Sequence, residues 1–531
     1  MEVDGVDTPI SPGMTLLTLP GELLLQIMEH LRDSQDVQSL TSIACTCKAL
    51  REVAEMNLYS FADFTTLSSL YLFLDAATRA EPKRRRYLRD LKLLYSTSRY
   101  DYEQPPYPPD LTAFPNLTSF VSESPECQPR SVKGTHWKVF MDMYMKAFSQ
   151  ASLLNESGGT PRPLQNLRSV TLHWTDTGPT GRRFWKIPAL CPIFLLSQVE
   201  SLEISCASVG QEPPTELEAQ QLDRFRCQTQ LKSLVFTECI VSIEALHAIL
   251  SIPRALKRLV LWEKFSHRIE MGDRFATDES DAFHRAIAQQ APSLEHLDIF
   301  HHSQHPESRK TLVLSLSAFP ALSHVQLGPF LQSRMHSFNY AVELPVPPAL
   351  QMLRLNEYAI TMLKDHRVDK VFSDLSLNEL LRNAEARAVP FTLDISLQHL
   401  PKLLLRTPNT NQDIRPLIHR LVKRLGERFR ERQGASLRRK PGVNPELLSD
   451  TRTHSRLRVL TNKPRRKIPP YLHNEGSPRF LVRYDSSHQQ EFPSEPYIAD
   501  EVIPDRDLSS DDEDMDVAFR DAGWVDPDVI V

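Results

Sequence analysis

The sequence predicts an α/β repeat protein, in which an N-terminal unit of three helices precedes a solenoid of parallel strands and helices, with a disordered C-terminal tail. Apolar residues recur at helical spacing over the first 60 residues. After them, a short strand signature returns about every 33 residues, which is typical of stacked repeats. At 531 residues, the chain exceeds the size at which a single core keeps growing unless the core is extended by repetition.

The composition favours a soluble protein, with 41% hydrophobic and 24% charged residues. Seven scattered cysteines do not form a disulfide framework, so we expect a reducing compartment, the cytoplasm or nucleus. No basic region precedes an apolar core at the N-terminus, and no apolar run is long enough for a bilayer. We therefore expect neither a secretory signal nor a membrane partner.

The first helix is predicted over "GELLLQIMEHL", about Gly21 to Leu31. Its apolar residues form two stripes, one with Leu23, Ile27 and Leu31 and the other with Leu24, Met28 and Leu31. A surface helix normally has one such stripe, and three short helices cannot bury both. The spare stripe therefore predicts a partner protein.

Two further helices complete this unit. Asp33 or Ser34 is expected to cap the second helix, along which Val37, Leu40, Ile43, Ala44 and Cys47 fall at helical spacing. The third helix, "ALREVAEMNLY", places Leu50, Val53, Ala54 and Leu58 on one face. An ordinary helical hairpin is the alternative interpretation of residues 15–60.

Residues 15–60 resemble an F-box. The motif residues are Leu19-Pro20-x-Glu22-Leu23-Leu24-x-x-Ile27-x-x-x-Leu31, Val37-x-x-Leu40, Cys47-Lys48-x-Leu50-Arg51 and Leu58-Tyr59. The resemblance implies docking on the Skp-type adaptor of cullin–RING ubiquitin ligases, with Leu19, Pro20, Leu23 and Ile27 at or near the docking surface. One departure is Leu50, which stands where the family often has an aromatic residue.

Nine later segments share the form apolar-x-x-apolar-x-apolar. Their first apolar positions are Leu88, Leu117, Leu167, Val199, Leu231, Leu256, Leu294, Leu322 and Leu350, and "PFTLDIS" around Leu393 is a candidate tenth strand. The pattern resembles a degenerate leucine-rich repeat without the usual turn asparagine, like the arrays of many fungal F-box proteins. An ordinary α/β domain with several parallel strands is the alternative.

Several connections between these segments are predicted to be helical. Ser242 is the expected N-cap of "IEALHAIL", in which Ile243, Leu246 and Ile249 or Leu250 face inward. A second helix, "SDAFHRAIAQQ", is expected to bury Phe283, Ala286 and Ile287.

Alternation along each strand predicts which side chains form a binding surface. Positions one, four and six should face the stack, while positions three, five and seven face the open side. Position three then includes Arg258, His296 and His324; position five includes Glu203, Val260, Asp298, Gln326 and Arg354; position seven includes His173, Ser205, Trp262, Phe300 and Asn356. Exposed aromatics beside arginine are typical of interface hot spots. We expect Arg258, Trp262, His296 and Phe300 to contact a target protein; burial of the two aromatics under a loop is the alternative.

No catalytic, cofactor or metal motif is found. The chain has 16 glycines and neither GxGxxG nor GxxxxGK[ST], which weighs against a nucleotide-binding enzyme. Cys45 and Cys47 lack a second ligand pair at zinc spacing, so buried apolar cysteines are expected. His301, His302 and His305 have no fixed carboxylate partner, and a solvated loop is expected there. We therefore expect a non-enzymatic protein without a cofactor.

The C-terminal part divides by charge. From Pro401 to Pro470 there are 19 lysines and arginines against 5 aspartates and glutamates. The expected segments are 1–14 disordered, 15–60 F-box, 61–86 helical linker, 87–400 repeat array, 401–433 basic amphipathic helix and 434–531 largely disordered, basic and then acidic. Arg438–Lys440 and Lys463–Lys467 are candidate nuclear import signals, but sparse aromatics disfavour nucleic-acid binding. Ser509 and Ser510 precede a carboxylate run typical of acidic-directed kinase sites.

Taken together, the patterns and the resemblance favour a substrate-recruiting subunit of a cullin–RING ubiquitin ligase. The helical unit would hold the adaptor, and the repeat array would hold an unidentified target protein. The alternative is a repeat scaffold that acts independently of the ligase, and its basic clusters favour a nuclear location.

Overall fold

A computed structural model gives the architecture of the chain. It describes residues 16, 19–34, 36–64, 67–80, 82–94, 108–124, 137–154, 162–178, 181–212, 216–263, 275–301, 312–328, 340–343, 347–355, 392–397, 457–462, 479–485 and 498–500. Within these ranges, no helix combines the length and the apolar character needed to cross a membrane.

Helices are concentrated in the first half of the described chain. They are α1 (Gly21–Asp33), α2 (Val37–Thr46), α3 (Lys48–Leu58), α4 (Leu67–Leu74), α5 (Trp137–Ala151), α6 (Glu216–Arg224), α7 (Ile243–Ser251) and α8 (Ser280–Ala288). Short 3-10 turns at Leu111–Ala113, Pro192–Leu195 and Leu316–Ala318 replace helices in other connections.

Strands run from residue 61 almost to the C-terminus. They are β1 (Phe61–Phe64), β2 (Asp90–Leu94), β3 (Ser119–Glu123), β4 (Ser169–His173), β5 (Thr175–Gly178), β6 (Gly181–Ile187), β7 (Ser201–Ser205), β8 (Ala207–Val209), β9 (Ser233–Val241), β10 (Arg258–Glu263), β11 (His296–His301), β12 (Leu312–Ser315), β13 (His324–Gly328), β14 (Tyr340–Glu343), β15 (Met352–Leu355), β16 (Thr392–Leu397), β17 (Leu457–Asn462), β18 (Arg479–Asp485) and β19 (Ile498–Asp500).

One long sheet organises the molecule. Its parallel part runs in the order β1-β2-β3-β4-β7-β9-β10-β11-β13-β15-β16. The sheet then continues through β18 and β17, which pair antiparallel, to β19. Parallel neighbours need a crossover connection, which the intervening helices and 3-10 turns provide.

The nine predicted strand segments meet in one register. Asp90, Ser119, Ser169, Ser201, Ser233, Arg258, His296, His324 and Met352 occupy the same level of successive strands. Every described side chain at positions one, four and six is 4% exposed or less. The core is therefore a set of apolar rows that run across the strands, as alternation along a strand requires. The leucine-rich-repeat identity of these strands stays a prediction.

Position six of the second strand segment, Ser122 in β3, is polar, and its hydroxyl is hydrogen-bonded. Ser122 is fully buried there, and the indole Nε1 of Trp174 donates a hydrogen bond of 3.0 Å to its hydroxyl. Pairing removes the free-energy cost that an unbonded hydroxyl would carry in the core.

Helix α7 shows how a connection is closed against the sheet. The Ser242 side chain accepts a hydrogen bond from the backbone N–H of Ala245, so the predicted N-cap is present. Gly210 approaches this turn with φ +63°, and a Cβ there would lie 2.2 Å from Cβ of Ala245. Only glycine fits this close approach. In α8, Phe283, Ala286 and Ile287 are fully buried, as expected.

Two predicted boundaries at the N-terminus need correction. Helix α2 is capped by Asp36, whose carboxylate accepts from the N–H of Ser39, rather than by Asp33 or Ser34. Asp33 instead belongs to α1, which is longer than the sequence predicts. The segment 61–86 is not helical throughout, because Phe61–Phe64 forms β1 and buries Ala62 and Phe64 by alternation.

The C-terminal prediction is corrected in part. Strands β17, β18 and β19 lie in the stretch expected to be largely disordered, where Leu457–Asn462 and Arg479–Asp485 pair with each other. Backbone pairing requires no apolar periodicity, so composition alone does not reveal it. The predicted basic helix over 401–433 and the acidic run after residue 500 lie outside the described residues.

Candidate functional site

Helix α1 builds the first candidate surface. The chain enters it in an extended conformation at Pro20, whose carbonyl accepts the N–H of Leu23 at 3.0 Å. Met28 is fully buried, and Leu24 and Leu31 pack with it. These three residues lie at i, i+4 and i+7, so they form one stripe of the helix. This stripe faces the core of the helical module, which we define as residues 19–60.

That core is small and separate from the core under the sheet. It contains Met28, Leu40, Leu50 and Ala54, with half-buried side chains around them. Leu50 is 5% exposed, so the leucine at this departure from the F-box pattern serves as a core residue.

The second stripe of α1 faces away from the core. Leu23 is 43% exposed and Ile27 is 36% exposed, and they lie four residues apart on one face. Pro20 is exposed and Leu19 half-buried at the entry to the helix. The structure thus brings the four residues proposed from the sequence to one end and one face of α1.

Exposed apolar side chains are concentrated around this stripe. Eleven large ones are exposed in the described part of the chain, and five of these lie between residues 16 and 37: Leu16, Leu23, Leu25, Ile27 and Val37. We call Leu19, Pro20, Leu23 and Ile27 the apolar docking face. An exposed patch of this kind in a soluble protein marks an interaction site.

Sequence reasoning missed the exposure of two other apolar side chains. It placed Val37 at helical spacing with Leu40, yet Val37 is 61% exposed. It did not assign Leu25, which lies on the opposite flank of α1 from Leu23. The prediction for the cysteines of α2 is also corrected, because Cys45 is exposed and Cys47, between α2 and α3, is half-buried.

The second candidate surface lies on the open side of the sheet. Arg258 pairs in register with His296, and Trp262 pairs with Phe300. The Trp262 and Phe300 rings lie 5.8 Å apart, and the His296 and His324 rings stack at 5.8 Å. The structure therefore brings all four sequence-proposed residues of this surface together.

We define the cationic–aromatic patch as six side chains on β10, β11, β13 and β15. They are Arg258, Trp262, His296, Phe300, His324 and Arg354. Arg258 is exposed and the other five are half-buried. The indole nitrogen of Trp262 is buried, with no hydrogen-bond acceptor among the described residues.

The open side is less open than the alternation predicts. At position five, Val260 is 3% exposed and Asp298 is 5% exposed. Larger side chains two residues away along the same strands flank both of them on this face. At position seven, His173 and Ser205 are each 1% exposed, so they belong to the interior rather than to a binding surface. Asn356 lies outside the described residues.

Electrostatics distinguishes the groups on this face. Burial, and then the positive charges of Arg258, His324 and Arg354, lower the pKa of His296 to about 4. Its imidazole is therefore neutral at pH 7. Glu203 lies at position five of β7, at the level of Val260. Burial raises the pKa of Glu203, although the charge of Arg258 opposes this effect.

A buried polar cluster lies beside the patch and was not predicted. The sulfur of Cys206 is 3.6 Å from both Nε2 of His173 and Oε2 of Glu238. Cys206 and Glu238 have φ of +58° and +54°. The sequence does not predict this left-handed backbone, because residues other than glycine rarely adopt it. Burial opposes the charged imidazole of His173, but Cys206, Glu123 and Glu238 outweigh it and raise its pKa.

Comparison with known proteins identifies the N-terminal region only. A family model described as F-box-like matches residues 16–65, which take in α1, α2, α3 and β1. A search among curated proteins found no match.

Proposed function

We propose that this chain, whose residues 16–65 form an F-box-like domain, is the substrate-recognition subunit of a Skp–cullin–F-box ubiquitin ligase. F-box proteins are typically non-catalytic adaptors, and the domain implies a Skp-type adaptor and a cullin as partners in general. In this proposal the apolar docking face holds the adaptor, and the sheet holds an unidentified target protein. The complex works in the cytoplasm, the nucleus or both.

The exposure of Leu23 and Ile27 beside buried Met28 is the observation that carries the proposal. Covering apolar surface contributes about 25 cal/mol per Å², so burying the exposed parts of these two side chains contributes roughly 1–2 kcal/mol each. Leu16, Leu25 and Val37 are further exposed apolar side chains in this part of the chain. A second polypeptide gains this stabilisation, whereas the three-helix module by itself cannot.

Such a subunit contributes to catalysis through proximity. The bound target is held near a ubiquitin-conjugating enzyme, which raises its effective concentration for transfer. This role requires two binding surfaces and no nucleophile on the chain itself. The cationic–aromatic patch supports the second surface, because aromatic and arginine side chains dominate binding hot spots.

Affinity capture from cell extract tests the proposal. Wild-type chain should capture the Skp-type adaptor, and changing Leu19 and Pro20 together to alanine should abolish that capture while the fold is retained. Proximity labelling of the wild-type chain and of this variant then identifies proteins lost together with the adaptor contact. Absence of adaptor on the wild-type chain would contradict the proposal.

The alternative function is a repeat scaffold that acts independently of the ligase. The basic clusters Arg438–Lys440 and Lys463–Lys467 favour a nuclear version of it. Capture of other proteins by the wild-type chain without the adaptor would support this alternative, since a scaffold needs the sheet but not the apolar docking face.

A further inference from the structure

We propose that the cationic–aromatic patch recognises an acidic peptide segment with an apolar side chain about four residues from its carboxylates. This inference rests on the proposed function and names the chemistry of the target. It is carried by the arrangement of charge and aromatic surface on four adjacent strands.

Basic side chains lie in a row across the strands, and Arg258 and Arg354 are its permanent positive charges. Arg258, His296 and His324 occupy one level of β10, β11 and β13, and Arg354 follows on β15, two residues further along. At about 4.8 Å per strand, this row spans about 14 Å. Arg258 makes no ion pair within the described residues. The row therefore presents a charge that a carboxylate can neutralise.

The aromatic surface lies at a fixed distance from the charge. Trp262 is four residues along β10 from Arg258, and Phe300 is four residues along β11 from His296. Four residues of strand cover about 13 Å. An extended peptide spans the same distance in about four residues, so it can place carboxylates at one level and an apolar side chain at the other.

The surroundings favour a peptide over a nucleic acid. Glu203 and buried Asp298 lie on the same face as the row of basic side chains. A continuous phosphate backbone requires a run of cations and is repelled by these carboxylates. A short acidic segment can place its carboxylates at the level of Arg258, two residues along the strands from the level of Glu203 and Asp298.

Fluorescence anisotropy with the full chain, purified with its adaptor, tests the inference. The probe is a labelled peptide that copies residues 507–519, DLSSDDEDMDVAF, which combines an acidic run with Val517 and Phe519. We expect binding that weakens at least tenfold when all carboxylates of the peptide are replaced by amides. We also expect at least a tenfold loss on changing Arg258 and Arg354 together to methionine.

The matched control is Lys257→Met, which removes one positive charge next to Arg258 in the chain. Lys257 is exposed and pairs with Glu295 away from the patch at 2.7 Å. This variant should bind the acidic peptide as the wild type does. Retained adaptor and an unchanged thermal melt show that the double arginine variant is folded, so its loss of peptide binding is due to the patch. Failure of the wild-type chain to bind the acidic peptide contradicts this inference without affecting the proposed function.

Three results would overturn the inference. The first is equal affinity for the acidic and amide peptides. The second is stronger binding of a single-stranded oligonucleotide, which would assign the patch to nucleic acid. The third is peptide binding that appears only after removal of residues 505–531, which would assign the patch to the chain's own acidic end.

Discussion

The guanidinium of Arg84 donates to the carboxylate of Glu55, with Nη2 and Oε1 2.7 Å apart. Glu55 belongs to α3, and Arg84 lies in the 3-10 turn Pro82–Arg86 that leads into β2. The same guanidinium lies 4.8 Å from the centre of the Tyr59 ring. This pair therefore ties the helical module to the turn that precedes β2 in the sheet.

Glu55→Gln should destabilise the chain. The carboxylate and guanidinium are 12% and 18% exposed, so the substitution leaves a poorly hydrated positive charge without its partner. We expect a loss of about 2 kcal/mol in unfolding free energy, below the value for fully buried pairs. Chemical denaturation measures it. Asp33→Asn is the control, because the Arg32–Asp33 pair is exposed and contributes little; an equal effect of both variants would contradict the assigned role of Glu55.

Met28→Ala and Leu23→Ala should separate folding from docking. Met28 is fully buried, so its truncation leaves a cavity that costs about 2–5 kcal/mol. Leu23 is 43% exposed, and its truncation should change the stability by about 0.5 kcal/mol or less. Thermal melts report stability, and adaptor capture reports docking. A Leu23 variant as unstable as the Met28 variant would show that its stripe belongs to the core.

Changing Trp262 and Phe300 together to alanine should reduce target capture at least about tenfold, because aromatic anchors carry a large share of interface binding energy. Adaptor capture should be unaffected. Quantitative affinity capture of extract proteins measures both effects. Val139→Ala on α5 removes an exposed apolar side chain elsewhere and should change neither. Unchanged target capture by the folded double variant would show that the patch does not contribute to target recognition.

His296 should titrate with a pKa near 4. Burial and the charges of Arg258, His324 and Arg354 disfavour its protonated form, while Asp298 lies two residues away on the same strand. Since an unfolded histidine has a pKa of about 6.5, its contribution to stability is present above that pH and is lost as the pH falls towards 4. Histidine C2 hydrogen exchange measures the pKa, which should rise in Arg258→Met. An ordinary pKa in the wild-type chain would contradict this environment.

Periodicity along the chain predicted much of the sheet and of α7. The rows of Leu91, Phe120 and Val170, and the Ser242 cap, follow from alternation and capping chemistry that are local in sequence. The same local rules placed Leu23 and Ile27 on one outward face of α1.

Features that depend on neighbouring strands could not be predicted this way. Asp298 and His173 are buried by side chains from the surrounding structure, although alternation assigns them to the open side. The left-handed backbone at Cys206 and Glu238 has no signature in these residue types. Val37 falls at helical spacing with Leu40, yet it lies at the first turn of α2 and is not part of the small core.

Isothermal titration of purified full-length chain with the Skp-type adaptor tests the central claim most directly. The wild-type chain should bind, and Leu23→Asp should weaken binding at least about 30-fold, equivalent to about 2 kcal/mol. Val139→Asp, which places the same charge on the exposed face of α5, should leave the affinity unchanged. A wild-type chain without measurable affinity for the adaptor, or a Leu23→Asp chain that binds as tightly as the wild type, would contradict the account.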